Sequence, residues 1–392
     1  MGNTNLEQLK NIFTELLGQT PSHLAAQHPL EHPASLPQLA ESLKSLRIDT
    51  AGLVEEQLRR LYAELYEYGP LNALLEDPEV TEIIVIGMND ICFEKHGSLM
   101  NHPDDFWHAI SFRNILQRIL GQAQVQVNVD QPFADGAWRG FRLHVVSPPI
   151  AESTQICLRR HPKNPWTLEQ LVGAHWASEA EGQYIQQLVM ARKTLLIVGP
   201  TGSGKTSILN ACLQRVAANE RCILLEDTAE LQPPNKFSTR LTTRRDSQKI
   251  LTPIEQNELV KQALRMRPDR IVLGEIRGAE AKDLLLAYST GHGGGLTTLH
   301  ADHPRQALLR LEMLVQMGCP EWQLTAIRQL IHLSLSHIIV TARGQGGHRC
   351  LQGIYRISSL EESGFTLEQV RINNQVKTQD HLRDCVLPTM GT

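Results

Sequence analysis

The C-terminal half of the chain alternates short apolar runs with segments of helical spacing. The apolar runs predict strands over residues 195–199, 222–226, 270–274, 295–299 and 336–342. Apolar residues recurring every three or four positions predict helices over residues 177–191, 204–217, 255–267, 278–289, 304–317 and 322–333. This alternation is typical of a largely parallel sheet covered by helices. The final fifty residues are more polar, with one further strand predicted over 354–358.

The N-terminal half has a different pattern, because its predicted strands lie too close together for helical crossovers. Helices are predicted over residues 5–18, 52–68 and 105–120, and strands over 79–87, 90–97, 140–146 and 154–159. Residues 20–38 contain four prolines and predict a linker, so we expect the first helix to be a separate, mobile element. We expect four segments: a helical extension with linker at 1–50, an α+β domain at 51–160, an interdomain linker at 161–176 that begins with a hinge, HPKNPW, and an α/β domain at 177–392.

Composition is that of an ordinary folded protein, with 41% hydrophobic and 20% charged residues among 392. The formal net charge of −4 gives no support for non-specific binding to nucleic acid. Local binding of nucleic acid by the basic segment with Arg240, Arg244 and Arg245 is an alternative that the sequence leaves open. The seven cysteines form no C-x-x-C pair, which favours a reducing compartment. There is no apolar run of about 18 residues and no signal-peptide core, so we expect no transmembrane helix.

The segment GPTGSGKTS follows a predicted strand and precedes a predicted helix, the context in which a phosphate-binding loop is expected. Its glycines allow a loop whose backbone N–H groups surround a polyphosphate. Lys205 supplies a charge for the β- and γ-phosphates, and the Thr206 hydroxyl is a predicted ligand of Mg²⁺. The predicted nucleotide-binding residues are Gly199, Pro200, Thr201, Gly202, Ser203, Gly204, Lys205, Thr206 and Ser207.

Carboxylates follow two of the other predicted strands. Glu275 ends the segment IVLGE, where it could orient or deprotonate an attacking water; the alternative is a surface carboxylate that caps the next helix. Glu226 and Asp227 end a strand in ILLEDTAEL, and the sequence predicts a catalytic or metal-shell role there, the alternative being a turn with an acidic N-cap. Arg277 lies close enough in sequence to act with Glu275.

The segment TGHGGGLTTLHA places two histidines, His292 and His300, on either side of a glycine-rich loop and strand. We interpret His300 as a residue that senses phosphate. A zinc site with His303 is disfavoured because no further ligand has suitable spacing, and simple packing of His300 at a strand end stays open.

In this order and spacing, GPTGSGKT, LLEDTAEL, ALRMRPDRIVLGEIRG and TGHGGGLTTLHA resemble the Walker A, Asp box, Walker B and His box of the type II/type IV secretion ATPase superfamily. Residues 68–97 are similar to the Tad/Flp pilus assembly ATPases in particular. The resemblance implies a RecA-like P-loop ATPase domain, a separate PAS-like α+β domain, and a homo-hexamer that hydrolyses ATP with Mg²⁺. It also implies a cytoplasmic location, peripheral at the bacterial inner membrane, with inner-membrane platform proteins of a secretion or pilus system as partners and no nucleic acid.

By the same resemblance, Glu275, Glu226, Arg277 and His300 would be catalytic, Asp227 and Thr206 would serve the metal, and His292 would contact the nucleotide. FRLHVVSPP and ICLRRHP resemble segments whose arginines reach the nucleotide, which nominates Arg142 and Arg159, although FADGAWRGFR departs from the family pattern before Arg142. The four-cysteine zinc element of some relatives is absent. The alternatives are a nucleic-acid translocase on a RecA-like core, a scaffold that binds nucleotide without hydrolysis, and a P-loop kinase.

Overall fold

The computed structural model describes residues 9–14, 36–45, 54–160, 165–244, 251–344, 348–362 and 364–371. The chain divides into two compact units, Met1–His161 and Pro162–Thr392. The predicted boundaries at residues 50, 160 and 176 stay predictions, and the hinge residues 161–164 lie outside the described residues.

The first unit is built on a six-stranded sheet in the order β3-β2-β1-β6-β5-β4, in which every neighbouring pair is antiparallel. Alternate residues of β5, Phe141, Leu143 and Val145, are buried, as the two-residue period of a strand with one covered face requires. The strands are β1 (Val80–Ile86), β2 (Asp90–Lys95), β3 (Ser98–Asn101), β4 (Phe133–Trp138), β5 (Phe141–Val146) and β6 (Gln155–Arg160). The likeness of this unit to a PAS domain stays a prediction.

The helices of the first unit differ most from expectation at its N-terminal end. Residues 9–14 are helical (α1), and the other helices are α2 (Leu36–Ser45), α3 (Glu55–Tyr66), α4 (Leu71–Glu76) and α5 (Ala109–Ala123). The linker prediction was wrong at residues 36–38, which open α2: Pro37 is tolerated there because a first-turn residue has no helical N–H bond to lose. Helix α4 and strands β3 and β4 were missed.

Helix α1 is not a separate element. Its Leu9, Ile12 and Phe13 are buried in one cluster with Leu39 and Leu43 of α2, and with Leu61, Leu65, Tyr66 and Trp107. The burial of this apolar stripe gives the helix a reason to stay in place, so the expectation of a mobile first helix was wrong for residues 9–14.

The second unit contains an eight-stranded sheet in the order β14-β13-β12-β7-β11-β10-β8-β9. The run from β12 to β9 is parallel, as predicted, while β13 and β14 add antiparallel at one edge. The strands are β7 (Leu195–Gly199), β8 (Cys222–Glu226), β9 (Thr239–Thr242), β10 (Arg270–Leu273), β11 (Leu296–His300), β12 (His337–Arg343), β13 (Arg349–Glu361) and β14 (Gly364–Gln369). Strands β9 and β14 were missed, and β13 is longer than the predicted strand at 354–358.

Helices cover both faces of this sheet, and the central strands are buried along their whole length, as in most parallel sheets. The helices are α6 (Leu168–Gly173), α7 (Glu179–Met190), α8 (Lys205–Leu213), α9 (Gln256–Leu264), α10 (Glu280–Ser289), α11 (Pro304–Gly318) and α12 (Leu324–Ser334). Two apolar clusters result, one on each face of the sheet. Short helix α6 was not predicted, because residues 161–176 were expected to be linker.

Candidate active site

The carboxyl ends of the parallel strands bring the sequence motifs to one edge of the sheet. His300 at the end of β11 pairs in register with Gly199 at the end of β7. Leu273 of β10 pairs with Leu225 of β8, so the residues that follow these two strands, Glu275 and Asp227, emerge at the same edge. Ligand sites of parallel sheets lie outside the carboxyl ends of their strands.

The loop between β7 and α8 has the backbone geometry that its glycines were expected to allow. Gly202 and Gly204 have φ of 75° and 91°, in the left-handed region that favours glycine. A Cβ atom on Gly199 would lie 2.4 Å from the carbonyl oxygen of Thr341, so a side chain cannot be accommodated there without movement. Lys205 Nζ donates to the carbonyl oxygens of Gly199 and Pro200, both at 3.0 Å. The loop is thus closed around its own lysine at the start of a helix, a geometry that fits a polyphosphate.

Lys205, His300 and Glu275 lie in a row of close polar contacts. Lys205 Nζ lies 3.2 Å from His300 Nδ1, and His300 Nε2 lies 2.7 Å from Glu275 Oε1. Because an ammonium group can only donate, His300 Nδ1 is the acceptor, and Nε2, which carries the hydrogen, lies against Glu275 Oε1. The prediction that His300 belongs at the phosphate site is consistent with this position, and its role stays a prediction.

The pKa of His300 is lowered from its ordinary value. Burial is the largest cause, and the nearby charges of Lys205, Arg277 and Arg310 act in the same direction, while Glu275 raises it. The neutral imidazole is therefore favoured, in agreement with the tautomer that the hydrogen bonds require.

Glu275 is also bound from its other side. Arg277 Nε donates to Glu275 Oε2 at 2.6 Å, and Arg277 Nη2 contacts the same oxygen. Arg277 Nη1 lies 3.3 Å from Asp227 Oδ2, and Asp227 Oδ1 accepts from the Thr243 hydroxyl at 3.2 Å. Arg277 thus holds one oxygen of Glu275 while the other faces His300, which sets the direction of the carboxylate at the sheet edge.

Glu226 has a different environment from Glu275. It is only 3% exposed, and its Oε1 accepts from the backbone N–H groups of Glu230 and Leu231 at 2.9 and 2.8 Å. Its Oε2 lies 2.9 Å from Arg240 Nε. Burial raises the pKa of Glu226 to about 7, although these hydrogen bonds and Arg240 oppose the shift. In this conformation the side chain orders the loop after β8; its predicted catalytic role remains untested.

The residues predicted to serve a metal are Thr206, in the first turn of α8, and Asp227, which is half-buried at the end of β8. Within the described residues, no three His, Cys, Asp or Glu side chains cluster in a metal-binding arrangement. Such a sparse set fits Mg²⁺, which usually keeps its waters and takes only one or two protein ligands in addition to substrate phosphates.

Beside the phosphate loop is a recess with aromatic and polar walls. Trp166 and Trp176 line it together with Leu171 and with Ile208 of α8. The remaining lining residues are Ala174, Ser203, Gly204, Ser207, His348 and Arg349. Flat apolar walls next to a phosphate site suit a nucleoside base.

Two groups of predicted site residues are not brought to the phosphate loop within the second unit. His292 lies in the loop that precedes β11, at the amino ends of the strands, where Gly295 O accepts from Leu195 N. It is therefore at the opposite edge of the sheet from Gly199 and His300, and its contact with the nucleotide stays a prediction.

Arg142 and Arg159 belong to the first unit, where they pair in register across β5 and β6. Arg159 is exposed, and neither side chain has an ion pair with a carboxylate among the described residues. Their neighbour Arg160 is structural, since it donates to the backbone oxygens of Leu74, Leu75, Asp77 and Val80. The two nominated arginines thus remain available for another partner.

Sequence reasoning missed the contribution of the β12–β13 hairpin to the phosphate loop. Thr341 Oγ1 donates to the carbonyl oxygen of Ser203 at 3.1 Å and accepts from Trp176 Nε1 at 3.1 Å. Arg349 Nε donates to the carbonyl oxygen of Gly202 at 3.0 Å. The only sequence signal is a pair of arginines in TARGQGGHR, and nothing in the residue spacing connects that segment to a loop about 140 positions earlier.

Comparison with known proteins gives one family. Residues 64–343 match the family model described as type II/IV secretion system protein. A Mycobacterium tuberculosis protein assigned to conjugal transfer is 34% identical over 306 residues, which cover 76% of this chain and 86% of that protein. The type IV secretion system protein PtlH of Bordetella pertussis is 30% identical over 243 residues, covering 55% of this chain and 72% of PtlH.

Among solved structures, the Legionella pneumophila ATPase DotB superposes with a TM-score of 0.53 at 19% identity, over 72% of this chain and 79% of DotB. At that identity the likeness speaks for the fold alone, a P-loop-type α/β fold. Among the described residues, no helix has the length and apolar character needed to cross a membrane.

Proposed function

We propose, from the premise that this chain belongs to the type II/IV secretion system protein family and is an ATPase, that it is a motor whose ATP hydrolysis drives protein secretion or pilus assembly at the bacterial inner membrane. The observation that supports this proposal most is the row of contacts from Lys205 through His300 to Glu275 at the carboxyl edge of the sheet. It joins a residue of the phosphate loop to a carboxylate suited to hydrolysis.

Binding of the substrate is assigned to the phosphate loop. The backbone N–H groups of residues 202–206 would hold the β-phosphate, and Lys205 would exchange its contacts with the two loop carbonyls for phosphate oxygens. Mg²⁺, held by Thr206 and the phosphates with Asp227 nearby, would neutralise charge that develops on the phosphoryl group. The recess lined by Trp166 and Trp176 would take the base.

Hydrolysis is assigned to Glu275, whose carboxylate would orient the attacking water and accept its proton. His300 and Arg277 aim that carboxylate from its two sides. His300 contacts both Lys205 and Glu275. When the γ-phosphate leaves Lys205, His300 would therefore change the position of Glu275, and this is the phosphate-sensing role that we propose for His300.

The ring and its location are further parts of the proposal. We propose a homo-hexamer, cytoplasmic and peripheral at the inner membrane, with membrane platform proteins as partners. The names of its conjugal-transfer and secretion relatives support a secretion role. The narrower assignment to Tad/Flp pilus assembly rests on residues 68–97 alone. A nucleic-acid translocase is the alternative, and the net charge of −4 argues against it.

Arg142 and Arg159 are proposed as the contribution of the first unit to the nucleotide. Both lack a carboxylate partner among the described residues, and a contact to the γ-phosphate would be charge-assisted and lost on phosphate release. Such a contact would differ between the ATP and ADP states, which is what a change of domain arrangement requires.

The test is phosphate release by the purified chain with ATP and Mg²⁺, in parallel with Lys205→Ala. We expect Lys205→Ala to lose both turnover and affinity for nucleotide, because it removes a charge held against the ground-state phosphates. Lys261→Ala is the matched control, since Lys261 is exposed on α9 and pairs with Glu258 of the same helix. Absence of hydrolysis by the wild-type chain at every concentration would reject the proposal, and strong stimulation by DNA would favour the translocase.

The ring is tested by light scattering with a non-hydrolysable ATP analogue. We expect a mass about six times that of the 44.0 kDa chain. A monomer throughout the micromolar range would contradict the hexamer but not the ATPase activity.

A further inference from the structure

Two arginines that are register partners in one hairpin lie against the phosphate loop. Arg343 ends β12 and Arg349 begins β13, and the two are register partners. A Cβ atom on Gly202 would lie 3.1 Å from Arg343 Nη1, and a Cβ atom on Gly204 would lie 3.1 Å from Arg349 Cδ. At each of these two glycines of positive φ, an arginine side chain therefore lies on the side where a Cβ atom would be.

The hairpin also binds two successive carbonyl oxygens of this loop. Arg349 Nε donates to Gly202 O at 3.0 Å, and Thr341 Oγ1 donates to Ser203 O at 3.1 Å. In a backbone nest the N–H groups converge on one side while the carbonyl groups point away. Bonds that hold the carbonyls outward consequently hold the N–H groups in the direction that an anion needs.

We propose that Arg349 and Arg343 are positioning residues of the nucleotide site: they keep the phosphate loop in its anion-binding conformation and place positive charge beside it. This rests on the proposed function, since it assumes that the loop binds a polyphosphate. Both arginines belong to the same unit as the loop, whereas Arg142 and Arg159 belong to the first unit.

The physical effect is preorganisation. When a loop already has the conformation that the ligand requires, less of the binding free energy is lost in ordering the loop. Because the shape serves the ground-state phosphates and the transition state equally, losing it should raise KM and leave kcat nearly unchanged. A catalytic arginine would instead lower kcat.

The experiment measures binding of ADP and of inorganic pyrophosphate, together with KM and kcat for ATP, in the full chain. We expect Arg349→Ala to weaken both ligands by about tenfold and to raise KM by a similar factor with kcat within twofold, the scale of one hydrogen bond to a charged group. Arg343→Ala, which removes a charge but no hydrogen bond to a carbonyl oxygen of the described residues, should weaken binding about threefold. Arg349→Lys keeps the charge without the guanidinium Nε–H and should fall between Arg349→Ala and wild type.

Arg356→Ala is the matched control, because Arg356 is an exposed arginine of the same strand, paired in register with His337 and not with a residue of the hairpin's free end. It should bind as wild type does. Equal affinities of Arg349→Ala and wild type for both ligands, or equal losses in Arg356→Ala, would overturn the inference while leaving the ATPase proposal standing. If the wild-type chain bound neither ligand, the proposed function would fail first. If the melting temperature of Arg349→Ala is below that of wild type, the inference is judged on Arg349→Lys and Arg343→Ala, whose KM for ATP should rise while kcat is unchanged.

Discussion

Glu275→Gln is the substitution that separates catalysis from binding at this site. Glu275 Oε2 accepts from Arg277 Nε at 2.6 Å, and Glu275 Oε1 lies 2.7 Å from His300 Nε2. Glutamine has one acceptor oxygen and one donor group in place of two acceptors. It can satisfy Arg277 or His300, but not both.

The conflict extends to the phosphate loop. If the glutamine oxygen faces Arg277, its amide group faces His300 Nε2, and His300 can accept only by moving its hydrogen to Nδ1. That hydrogen would then point at the Lys205 ammonium group 3.2 Å away. The variant must therefore lose either the contact between His300 and residue 275 or the contact between His300 and Lys205. In both cases Lys205 is no longer connected to residue 275 through His300.

The expected loss of turnover is about 10²- to 10⁴-fold, the range for a positioned proton acceptor, or roughly 3–5 kcal/mol of activation free energy. Affinity for nucleotide should stay within about fivefold of wild type, because the loop and Lys205 are unchanged and the site has lost a negative charge. The pKa of His300 should move further down, since Glu275 is the group that raises it.

Single-turnover phosphate release and binding of a fluorescent ATP analogue measure the two quantities separately. Glu230→Gln is the matched control: it removes one carboxylate that follows the same strand end as Asp227, and it keeps the backbone N–H through which residue 230 donates to Glu226. Turnover of Glu275→Gln within threefold of wild type would refute the assignment of Glu275. A loss of turnover matched by an equal loss of affinity would refute the separation of the two roles.

Two further predictions concern Glu226 and the first unit. Because burial raises the pKa of Glu226 to about 7 from 4.5, the folded chain retains a proton that the unfolded chain releases, so this group costs up to about 3 kcal/mol of stability as pH rises through that interval. Unfolding midpoints measured from pH 5 to 8 should fall more for wild type than for Glu226→Gln, and parallel curves would contradict the reasoning. Arg159→Ala should keep the fold and the oligomer, reduce phosphate release, and abolish any difference in energy transfer between fluorophores on the two units in ATP-like and ADP states. Arg59→Ala, at an exposed helical position, is its control, and a wild-type response of Arg159→Ala would exclude Arg159 as the coupling residue.

Local sequence pattern determined much of the second unit. Strands β7 and β8 lie where their apolar runs predict, because a strand buried on both faces must be apolar along its whole length. The phosphate loop was also readable, since its glycine positions encode a backbone conformation that other residues rarely adopt. Prediction was weaker in the first unit, where the prolines of residues 20–38 obscured the short apolar repeat of α2.

Only the tertiary structure decided which motifs meet. The strand order β12-β7-β11-β10-β8 places His300 beside Gly199 and sends His292, only eight residues earlier, to the opposite edge. A strand separates those two residues by its own length, a distance that a glycine-rich sequence does not reveal. Two other contacts likewise join separate segments of the chain: the ion pair of Glu226 with Arg240, and the hydrogen bond from Arg349 to Gly202 O. Residue spacing encodes local geometry, whereas contacts across a sheet depend on the order in which its strands assemble, and for that reason the hairpin behind the phosphate loop was found in the fold and not in the sequence.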